Sequence, residues 1–408
     1  MTSTVFKQVL HPDSRVHPWD LYAELRKEAV SVQDDGTHVV SRYEDVKALL
    51  SDPRISSDVG KAAPGTRLTA NVPAPGTAPT FIVRDNPEHD RLRGMTMRHF
   101  GPPARPGGVE EYRPMVERLV RERLDNLIGR TEFDLVEEFS HPIPVRVICH
   151  IMGIPIEEGA TVLSPLLGTV EAEFLVDPFD PEPVAVWKRN HAKAVDYLSA
   201  HVERLRENPG DDMLSRMIHD DLPGAPMNIS ELLGTALMIF GAGHETTVNL
   251  ITSSMLLLLR HPDQLARLKA DPSLAYGAVE ETLRMEPPAH MRPRAATADI
   301  RVGDHVIPQG ASVVLNLAAA NRDPRRFTDP DTFDITRPDN TAHLSFAGGT
   351  HFCFGAPLGR MEGQIAVREL SRRLVNPRLV QDPPPYRDSP DLRGPSALRL
   401  TVDEVLPA

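Results

Sequence analysis

The feature that most constrains this chain is Cys353, which lies in the run S-F-A-G-G-T-H-F-C-F-G-A-P-L-G-R-M-E at residues 345–362. Gly348 and Gly349 precede the cysteine, and we expect them to form turns that a residue with a Cβ would resist. Gly355 follows it and leaves room for a flat ring to pass close to the backbone. This pattern predicts a loop that holds a single thiolate against a flat group.

The residues after the cysteine predict a helix that begins directly behind it. Apolar residues recur there at helical spacing, at Leu358, Met361, Ile365 and Leu370. Pro357 suits the first turn of that helix, since a proline there removes only an N–H that has no partner within the helix. Free N–H groups at a helix start stabilise a thiolate, and an axial thiolate on haem iron favours O–O cleavage. Haem iron is therefore the expected partner of Cys353.

Other uses of a cysteine fit the sequence less well. A zinc site would need further Cys or His ligands at short spacing, and the chain has two cysteines and no C-x-x-C. A phosphate-binding loop would need a lysine after its glycines, and none follows. A cysteine protease would pair Cys353 with a distant base, an alternative that the sequence leaves open. Cys149 lies among apolar residues and is predicted to be a small buried core residue.

The pattern F-x-x-G-x-H-x-C-x-G resembles the haem-binding signature of the cytochromes P-450, and its members are Phe346, Gly349, His351, Cys353 and Gly355. Ala347 stands where that family usually has glycine. The resemblance implies a mainly α fold with small β-sheets, in which haem b lies between a long central helix and the helix after the cysteine. It also implies that Cys353 is the metal ligand and that Phe346, His351 and Gly355 contact the haem.

A long apolar segment at residues 231–260 is interrupted at its centre by G-A-G-H-E-T-T. About 30 residues would be long enough to cross a membrane, but polar residues at the centre would be costly in lipid, so we expect a helix buried in a large core. Gly241 and Gly243 would allow this helix to open locally. A structural alternative is a threonine hydroxyl that bonds to its own helix, with Glu245 satisfied by a neighbour.

The same residues resemble the oxygen-activation motif A-G-x-[DE]-T-T of the family, at Ala242, Gly243, Glu245, Thr246 and Thr247. This resemblance implies that Thr246 would hold dioxygen and ordered water by hydrogen bonds, while Glu245 would relay protons inward. Both are therefore candidate catalytic residues.

Glu281 and Arg284, in V-E-E-T-L-R, form an E-x-x-R pair that shares one helical face. An ordinary surface ion pair is the simpler interpretation of such a pair. In the family that this chain resembles, the pair meets an arginine from a later segment, here Arg337, and braces the cysteine loop. The expected role of the three residues is structural, as a buried network that would be costly to break.

Two further segments resemble those that bind the haem propionates in the family. D-N-P-E-H-D-R-L-R would supply His89 and Arg93, and R-A-A-T-A-D would supply Arg294, for which Arg292 is a competitor. His351 would complete the set from the cysteine loop. Arginine suits carboxylates because its planar fork can bond both oxygens. The alternative for each residue is a solvated surface charge.

Bulk composition is typical of an intracellular enzyme. Residues 1–408 show no low-complexity linker or repeat, so we expect one domain with a larger α-rich lobe and a smaller β-containing region. The chain has 45 basic and 57 acidic residues and a net charge of −12, which disfavours nucleic acid as a partner. Two cysteines cannot make a disulfide framework, and no signal peptide or membrane anchor is visible, so a cytoplasmic protein without a membrane partner is expected.

Hydrophobic periodicity predicts the secondary structure along the chain. Helices are expected within 19–28, 43–51, 112–127, 191–207 and 229–260, and strands within 37–41, 300–307, 312–317 and 398–402. A loop rich in proline, glycine, alanine and threonine is expected at 61–80.

The motifs favour a monooxygenase that inserts one atom of dioxygen into a C–H bond, with electrons from a ferredoxin-type protein and its reductase. Glu245 and Thr246 favour this class, since a haem-thiolate protein that only binds a ligand needs no proton relay. Such a non-catalytic ligand-binding protein is the alternative from a different class. Oxidative C–C or C–N coupling also stays open, because that reaction begins with dioxygen activation as well.

The resemblance also implies a substrate pocket that includes Met238, Ala242, Ala289, His290 and Met291, with the segments 61–81 and 174–187 and Pro395 and Ser396 nearby. Its apolar balance predicts a small or medium, largely apolar substrate, to which His290 would offer a hydrogen bond, and a role in bacterial secondary metabolism. For the electron donor, a basic docking surface is expected at Arg91, Arg98, Arg360, Arg368, Arg372 and Arg373. Scattered solvated arginines are the alternative.

Overall fold

Helices form most of the molecule in this computed structural model, which describes residues 3–70, 80–101, 107–167, 181–221 and 227–408. In these ranges the α-helices are α1 (Val5–Leu10), α2 (Trp19–Leu25), α3 (Tyr43–Leu49), α4 (Arg67–Ala70), α5 (Glu88–Phe100), α6 (Arg113–Asp125), α7 (Pro142–Met152), α8 (Ile156–Glu158), α9 (Ser164–Leu167), α10 (Pro181–Glu207), α11 (Met213–Ile218), α12 (Ile229–Arg260), α13 (Pro262–Ala270), α14 (Ala275–Met285), α15 (Leu317–Ala320) and α16 (Ala356–Arg373). The strands are β1 (Ser31–Val32), β2 (His38–Val40), β3 (Ile55–Ser56), β4 (Glu132–Asp134), β5 (Met291–Ala296), β6 (Ile300–Val302), β7 (His305–Ile307), β8 (Ser312–Asn316), β9 (Leu374–Val375), β10 (Arg378–Leu379), β11 (Arg399–Thr401) and β12 (Glu404–Val405).

The helices predicted from periodicity are present as α2, α3, α6, α10 and α12, and α10 begins ten residues earlier than the prediction. Its extra first turn is P-E-P-V, and prolines are tolerated there because the first N–H groups of a helix have no partner within it. The strand-like run at 300–307 is a hairpin of β6 and β7. It turns at Gly303, whose φ of +57° suits a residue without a Cβ.

A five-stranded sheet has the strand order β1-β2-β8-β5-β3. Only the β2–β8 pair is parallel, and the other pairs are antiparallel. The central strand β8 reads S-V-V-L-N and is buried at all five residues, as expected for a strand covered on both faces. A three-stranded sheet, β10-β11-β4, and the pairs β12–β9 and β6–β7 complete the small β content. The predicted mainly α fold with small sheets is confirmed.

The 32-residue helix α12 runs through the core and packs against α7, α10, α14 and α16. Its start is fixed by a capping box, in which Asn228 accepts from the N–H of Glu231 and the Glu231 carboxylate accepts from the N–H of Asn228. Apolar residues cover nearly all its faces, which is typical of a helix surrounded by protein. Within the described ranges, no helix combines the length and the apolar character that crossing a membrane would require.

The two ends of the chain meet beside β5. We call the apolar contacts between the N-terminal helices and the sheet the N-terminal cluster, which comprises Phe6, Val9, Tyr22, Leu25, Val39, Met291, Val314, Ala318 and Ala319. Next to it, the guanidinium of Arg393 donates to the carbonyl oxygens of Arg15 and Val16. The same guanidinium lies 4.2 Å from the ring centroid of Tyr386 and 5.4 Å from that of Trp19. Arg393 therefore ties the C-terminal loop to the N-terminal segment.

Candidate active site

Cys353 lies between a 3₁₀ turn at Gly349–His351 and the first residue of α16, Ala356. Its side chain is exposed. Its backbone N–H donates to the carbonyl oxygen of Phe346 at 2.9 Å, and its own carbonyl oxygen accepts from the N–H of Ala356 at 3.4 Å. These two backbone contacts fix the cysteine one turn before an 18-residue helix, near the positive end of the helix dipole.

Two residues of the loop have left-handed backbone conformations. Gly349 has a φ of +60°, and a Cβ there would overlap the carbonyl oxygen of Leu50, so only glycine fits. Ala347 has a φ of +56°, in a region that costs a residue with a Cβ about 1–2 kcal/mol. Gly348 has a φ of −166°, which any residue can adopt. The expectation that Gly348 forms a turn closed to other residues is therefore wrong.

Basic side chains from three segments converge beside this loop: His89 and Arg93 of α5, Arg294 of β5, and His351. The rings of His89 and His351 meet with their centroids 4.4 Å apart. Arg93 donates through Nη2 to the carbonyl oxygen of Phe352, the residue before the cysteine, at 2.8 Å. The structure thus brings together the four residues that the sequence nominated for the propionates.

Acidic residues compensate this basic group only in part, chiefly through Asp90, whose Oδ1 lies 2.8 Å from Nδ1 of His89. Burial, followed by the charges of Arg294 and His89, lowers the pKa of His351 to about 3. Burial and then Arg292 lower the pKa of Arg294 to about 10. Across the part of the chain that the structure describes, no carboxylate forms an ion pair with Arg294, and Nε2 of His89 is buried without a partner. A buried guanidinium without a carboxylate partner favours an anionic group beside it, and carboxylates such as those of haem fit.

The centre of α12 carries the second part of the site. Met238, Ala242 and Thr246 are only half-buried although most of the helix is fully buried. Because they are four residues apart, they share one face of the helix. The Thr246 hydroxyl donates to the carbonyl oxygen of Ala242 at 3.1 Å, which is the structural alternative considered from the sequence.

Glu245, on the adjacent face, is buried and has a cationic neighbour. Nη1 of Arg387 lies 3.1 Å from its Oε2, and Nε of Arg387 donates to Oδ1 of Asn249 at 3.0 Å. Burial raises the pKa of Glu245, while the charge of Arg387 lowers it, and the net direction is upward. The carboxyl group is therefore suited to accept and release a proton.

The helix does not open at its glycines. The hydrogen-bonded helix is continuous through Gly241 and Gly243, so the expected local opening is wrong. A Cβ on Gly243 would lie 2.9 Å from Cδ1 of Ile148 in α7. Gly243 is therefore a point of close approach between two helices.

The E-x-x-R residues lie in a buried network. Arg284 donates to both carboxylate oxygens of Glu281 at 2.8 Å, and neither side chain is exposed. Arg337 donates to the same carboxylate at 2.9 Å. Arg284 also donates to the carbonyl oxygens of Asn321 and Pro330. The Glu281–Arg284 pair thus joins α14 to the segments that precede the cysteine loop.

Comparison with known proteins decides the family, since the model of the Cytochrome P450 family matches residues 6–387. The chain belongs to the cytochrome P450 family. Cytochrome P450 107B1 from Saccharopolyspora erythraea is 40% identical over 377 residues, which cover 90% of each chain. The 6-deoxyerythronolide B hydroxylase of the same organism is 37% identical and covers 94% of this chain and 95% of its own. The structure of myxobacterial cytochrome P450 CYP267B1 in complex with myristic acid matches with a TM-score of 0.87 and 33% identity, over 98% of this chain and 100% of that chain.

These matches confirm the predicted fold and the predicted class of enzyme. The protein is a cytochrome P450 oxidoreductase of the monooxygenase class, and its relatives include hydroxylases of bacterial secondary metabolism. Such enzymes act on small molecules with dioxygen and electrons from a redox partner, and the family as a whole uses a haem-thiolate cofactor.

Several residues predicted to line the substrate pocket of this P450 lie elsewhere in the structure. His290 is 1% exposed, and its Nδ1 lies 2.7 Å from the hydroxyl of Tyr22, so neither a substrate contact nor an exposed position fits it. Met291 belongs to the N-terminal cluster, and Ala289 is buried in a β-bridge with Leu392. A pocket role for these three is therefore a wrong expectation. Of the segments 61–81 and 174–187, residues 71–79 and 174–180 lie outside the described residues.

The arginines expected to form the electron-donor surface all have acidic partners. The pairs are Arg91–Glu231, Arg98–Asp220, Arg360–Glu280, Arg368–Glu369, Arg372–Glu369 and Arg373–Asp125. The side chain of Arg373 is fully buried, so its assignment to a surface is wrong. These six arginines therefore do not form a basic patch with an excess of positive charge.

Sequence reasoning missed two features of the P450 site. Arg387 lies in the C-terminal loop outside every motif, and nothing in the sequence connects it with Glu245, 142 positions earlier. His244 lies inside the G-A-G-H-E-T-T run and could have been singled out as a buried imidazole beside a candidate acid. Its contact with the carbonyl oxygen of Phe240 is local to α12, but its contact with Ser164 comes from the tertiary fold alone.

Proposed function

We propose that this P450 holds haem b through Cys353 and hydroxylates a C–H bond of a small or medium, largely apolar molecule. The observation that carries this proposal is the meeting of His89, Arg93, Arg294 and His351 beside the exposed cysteine loop, where the buried Arg294 has no carboxylate partner among the described residues. Haem b complements both features, because its iron takes a thiolate and its two propionates take cationic donors.

Each binding residue would have a distinct task. Thiolate-bound haem supplies dioxygen binding and O–O bond cleavage when it is present. Cys353 would bind the iron, while Arg93, Arg294, His351 and the unpartnered Nε2 of His89 would donate to the propionates. Gly355 would leave space for the ring, since a Cβ there would meet no atom within 4 Å. Phe346, packed against the core and covered by the guanidinium of Arg360 at 4.4 Å, would shield the sulfur from water.

Thr246 and Glu245 would deliver protons. Hydroxylation converts substrate, dioxygen, two electrons and two protons into alcohol and one water. At rest the Thr246 hydroxyl donates to the carbonyl oxygen of Ala242, and the lone pairs of its oxygen remain free to accept. The hydroxyl can therefore accept a hydrogen bond from a water molecule on the half-buried face of α12. Glu245, whose pKa burial raises, would carry protons to this position, and Arg387 would hold its carboxylate in place.

The half-buried face of α12 also supports the choice of substrate. Met238 and Ala242 present apolar side chains there, which favours an apolar molecule. Among the relatives, one is named 6-deoxyerythronolide B hydroxylase, and the structure of CYP267B1 was solved in complex with myristic acid, a fatty acid. We place the enzyme in bacterial secondary metabolism, in the cytoplasm, with electrons from a ferredoxin-type protein and its reductase.

The decisive experiment replaces the proposed ligand. Reduced protein under carbon monoxide should show the strongly red-shifted absorption of thiolate-ligated haem, and Cys353→His should lose it because imidazole would replace the thiolate. Cys149→Ala, which removes the buried second thiol, is the matched control and should keep the wild-type spectrum. An unchanged spectrum in Cys353→His would refute the assignment of the ligand.

A further inference from the structure

A line of polar side chains leads from the start of α7 to Glu245. His141, directly before α7, has its Nε2 3.1 Å from Oγ of Ser164 in α9. The same Oγ lies 3.3 Å from Nε2 of His244 in α12. Nε2 of His244 is in turn 3.9 Å from Oε1 of Glu245. Three separate parts of the fold therefore contribute to one series of proton-carrying groups, which is hydrogen-bonded from His141 to His244 and ends close to Glu245.

The series runs from a partly exposed end to a buried one. His141 is half-buried, whereas Ser164 is 5% exposed and His244 is fully buried. Placing a hydroxyl and an imidazole in this apolar part of the core is costly unless they are hydrogen-bonded. Their hydrogen bonds connect them to each other and to the half-exposed His141.

The hydrogen bonds also have a direction. Nδ1 of His244 lies 2.9 Å from the carbonyl oxygen of Phe240, which can only accept, so Nδ1 carries the proton. Burial lowers the pKa of His244 to about 4, which keeps the ring neutral and makes Nε2 an acceptor. The Ser164 hydroxyl must then donate to His244 and accept from the Nε2–H of His141. The Nε2–H of His141 and the Ser164 hydroxyl therefore both donate in the direction of His244.

The two oxygens of Glu245 have different neighbours. Arg387 approaches Oε2 at 3.1 Å, while His244 faces Oε1. The ion pair with Arg387 thus leaves one carboxylate oxygen open to the histidine. A movement of less than about 1 Å would bring Nε2 and Oε1 within hydrogen-bond distance.

We propose that His141, Ser164 and His244 form a proton-delivery route from solvent to Glu245. Solvent first protonates Nδ1 of His141. Ser164 then gives its proton to Nε2 of His244 while it takes the Nε2 proton of His141, which leaves His141 as a neutral Nδ1–H ring. His244 passes the proton from Nε2 to Oε1 of Glu245 and returns to its Nδ1–H form, and His141 returns to its Nε2–H form by exchange with solvent. This inference rests on the proposed proton-carrying role of Glu245, and it makes Ser164 a positioning residue for the reaction.

The first test needs no variant. We would record the ¹⁵N spectrum of histidine-labelled, haem-loaded protein in its reduced, diamagnetic carbon monoxide complex. The route requires the Nδ1–H tautomer at His244 and the Nε2–H tautomer at His141, a pairing that mere packing of the rings would not demand. The Nδ1–H tautomer at His141 would reverse the donor direction and overturn the proposal.

The second test measures how many electrons end in product, with a substrate found by a spectral binding screen. Ser164→Ala should lower product per electron about tenfold, less than the roughly 10²–10⁴-fold of a direct proton donor, because Ser164 acts through His244. Ser164→Thr, which keeps the hydroxyl, should restore at least half of the wild-type ratio. Ser254→Ala is the control, since it removes another buried α12-associated hydroxyl, one that bonds to its own helix.

The outcomes separate this route from the role of Glu245 itself. If Glu245→Gln lowers product per electron and Ser164→Ala does not, the route is wrong and the role of Glu245 stands. If Ser164→Ala and Ser254→Ala lose equally, the effect is general destabilisation and the route is again wrong. If Glu245→Gln behaves like wild type, the proposed function of Glu245 fails and the route fails with it.

Discussion

The cysteine loop and the centre of α12 hold their reactive residues by different means. Backbone contacts position Cys353: a hydrogen bond to Phe346, the left-handed residues Ala347 and Gly349, and the close approach to Leu50. Glu245 is positioned by side chains, chiefly Arg387 and His244. A short stretch of sequence can encode a backbone conformation, whereas side-chain contacts between remote segments exist only once the whole chain has folded.

The charge balance of the two regions differs as well. The basic group of His89, Arg93, Arg294 and His351 lacks a carboxylate partner for its most buried arginine, whereas Glu245 has Arg387. The first region therefore depends on an external anion for its electrostatic balance, and the second is balanced by the protein itself. Ligand binding should stabilise the cysteine side more than the α12 side.

The largest expected effect is on the stability that the buried Glu281 network gives to the cysteine side of the molecule. Glu281→Ala would leave Arg284 and Arg337 without their carboxylate partner, and the side chain of Arg284 is fully buried. Because a buried charge would then lack its partner, the substitution should lower the free energy of unfolding by about 3–5 kcal/mol. Urea denaturation of the haem-loaded protein, followed by circular dichroism, measures this. Glu110→Ala breaks the exposed pair with Arg113 and should cost under about 1 kcal/mol. Equal losses in both variants would show that burial of the network is irrelevant.

The second-largest expected effect is on product formed per electron, through Thr246 on the α12 side. Thr246→Ala should still bind substrate and take electrons, but product per electron should fall about 10²-fold, with hydrogen peroxide released instead. Electron consumption, peroxide and product are measured together. Thr252→Ala, a buried threonine further along the same helix, should keep normal coupling. Full coupling in Thr246→Ala would remove Thr246 from proton delivery.

The smallest effect concerns backbone strain at the cysteine side. Ala347→Gly should raise the unfolding free energy by up to about 1 kcal/mol, because glycine adopts a φ of +56° without the cost that a Cβ brings. Ala48→Gly, on the exposed side of α3, should lower it by about 0.5–1 kcal/mol. The same denaturation experiment gives both values, and a loss in Ala347→Gly would mean that the alanine is not strained.

The difference between the regions explains what the sequence could predict. The cysteine loop, the helix behind it and α12 follow from local patterns, since turn residues and periodicity act over a few positions. The predicted pocket role of His290 was wrong because no local pattern reveals that Tyr22 covers this side chain. The predicted surface position of Arg373 was wrong because α16 packs against α6, where Asp125 contacts the Arg373 guanidinium.

The partners of Glu245 belong to the same category. His141 and Ser164 come from the regions of α7 and α9, and Arg387 comes from the C-terminal loop. These positions are about 80 to 140 residues of chain from the residues that they contact in α12, so only the tertiary fold determines that they meet. An isolated motif search therefore finds the acid and misses its neighbours.

The junction between the chain ends has a consequence for synthesis in the cell. Arg393 bonds to the carbonyl oxygen of Arg15, 378 positions earlier. At about 5–20 residues per second, a ribosome needs roughly 20–75 s to supply that partner. For most of this time Phe6, Tyr22 and Leu25 lack Met291 and the other late-made residues of their cluster. Until those residues emerge, the apolar side chains of the nascent N-terminal segment stay without their partners from the sheet.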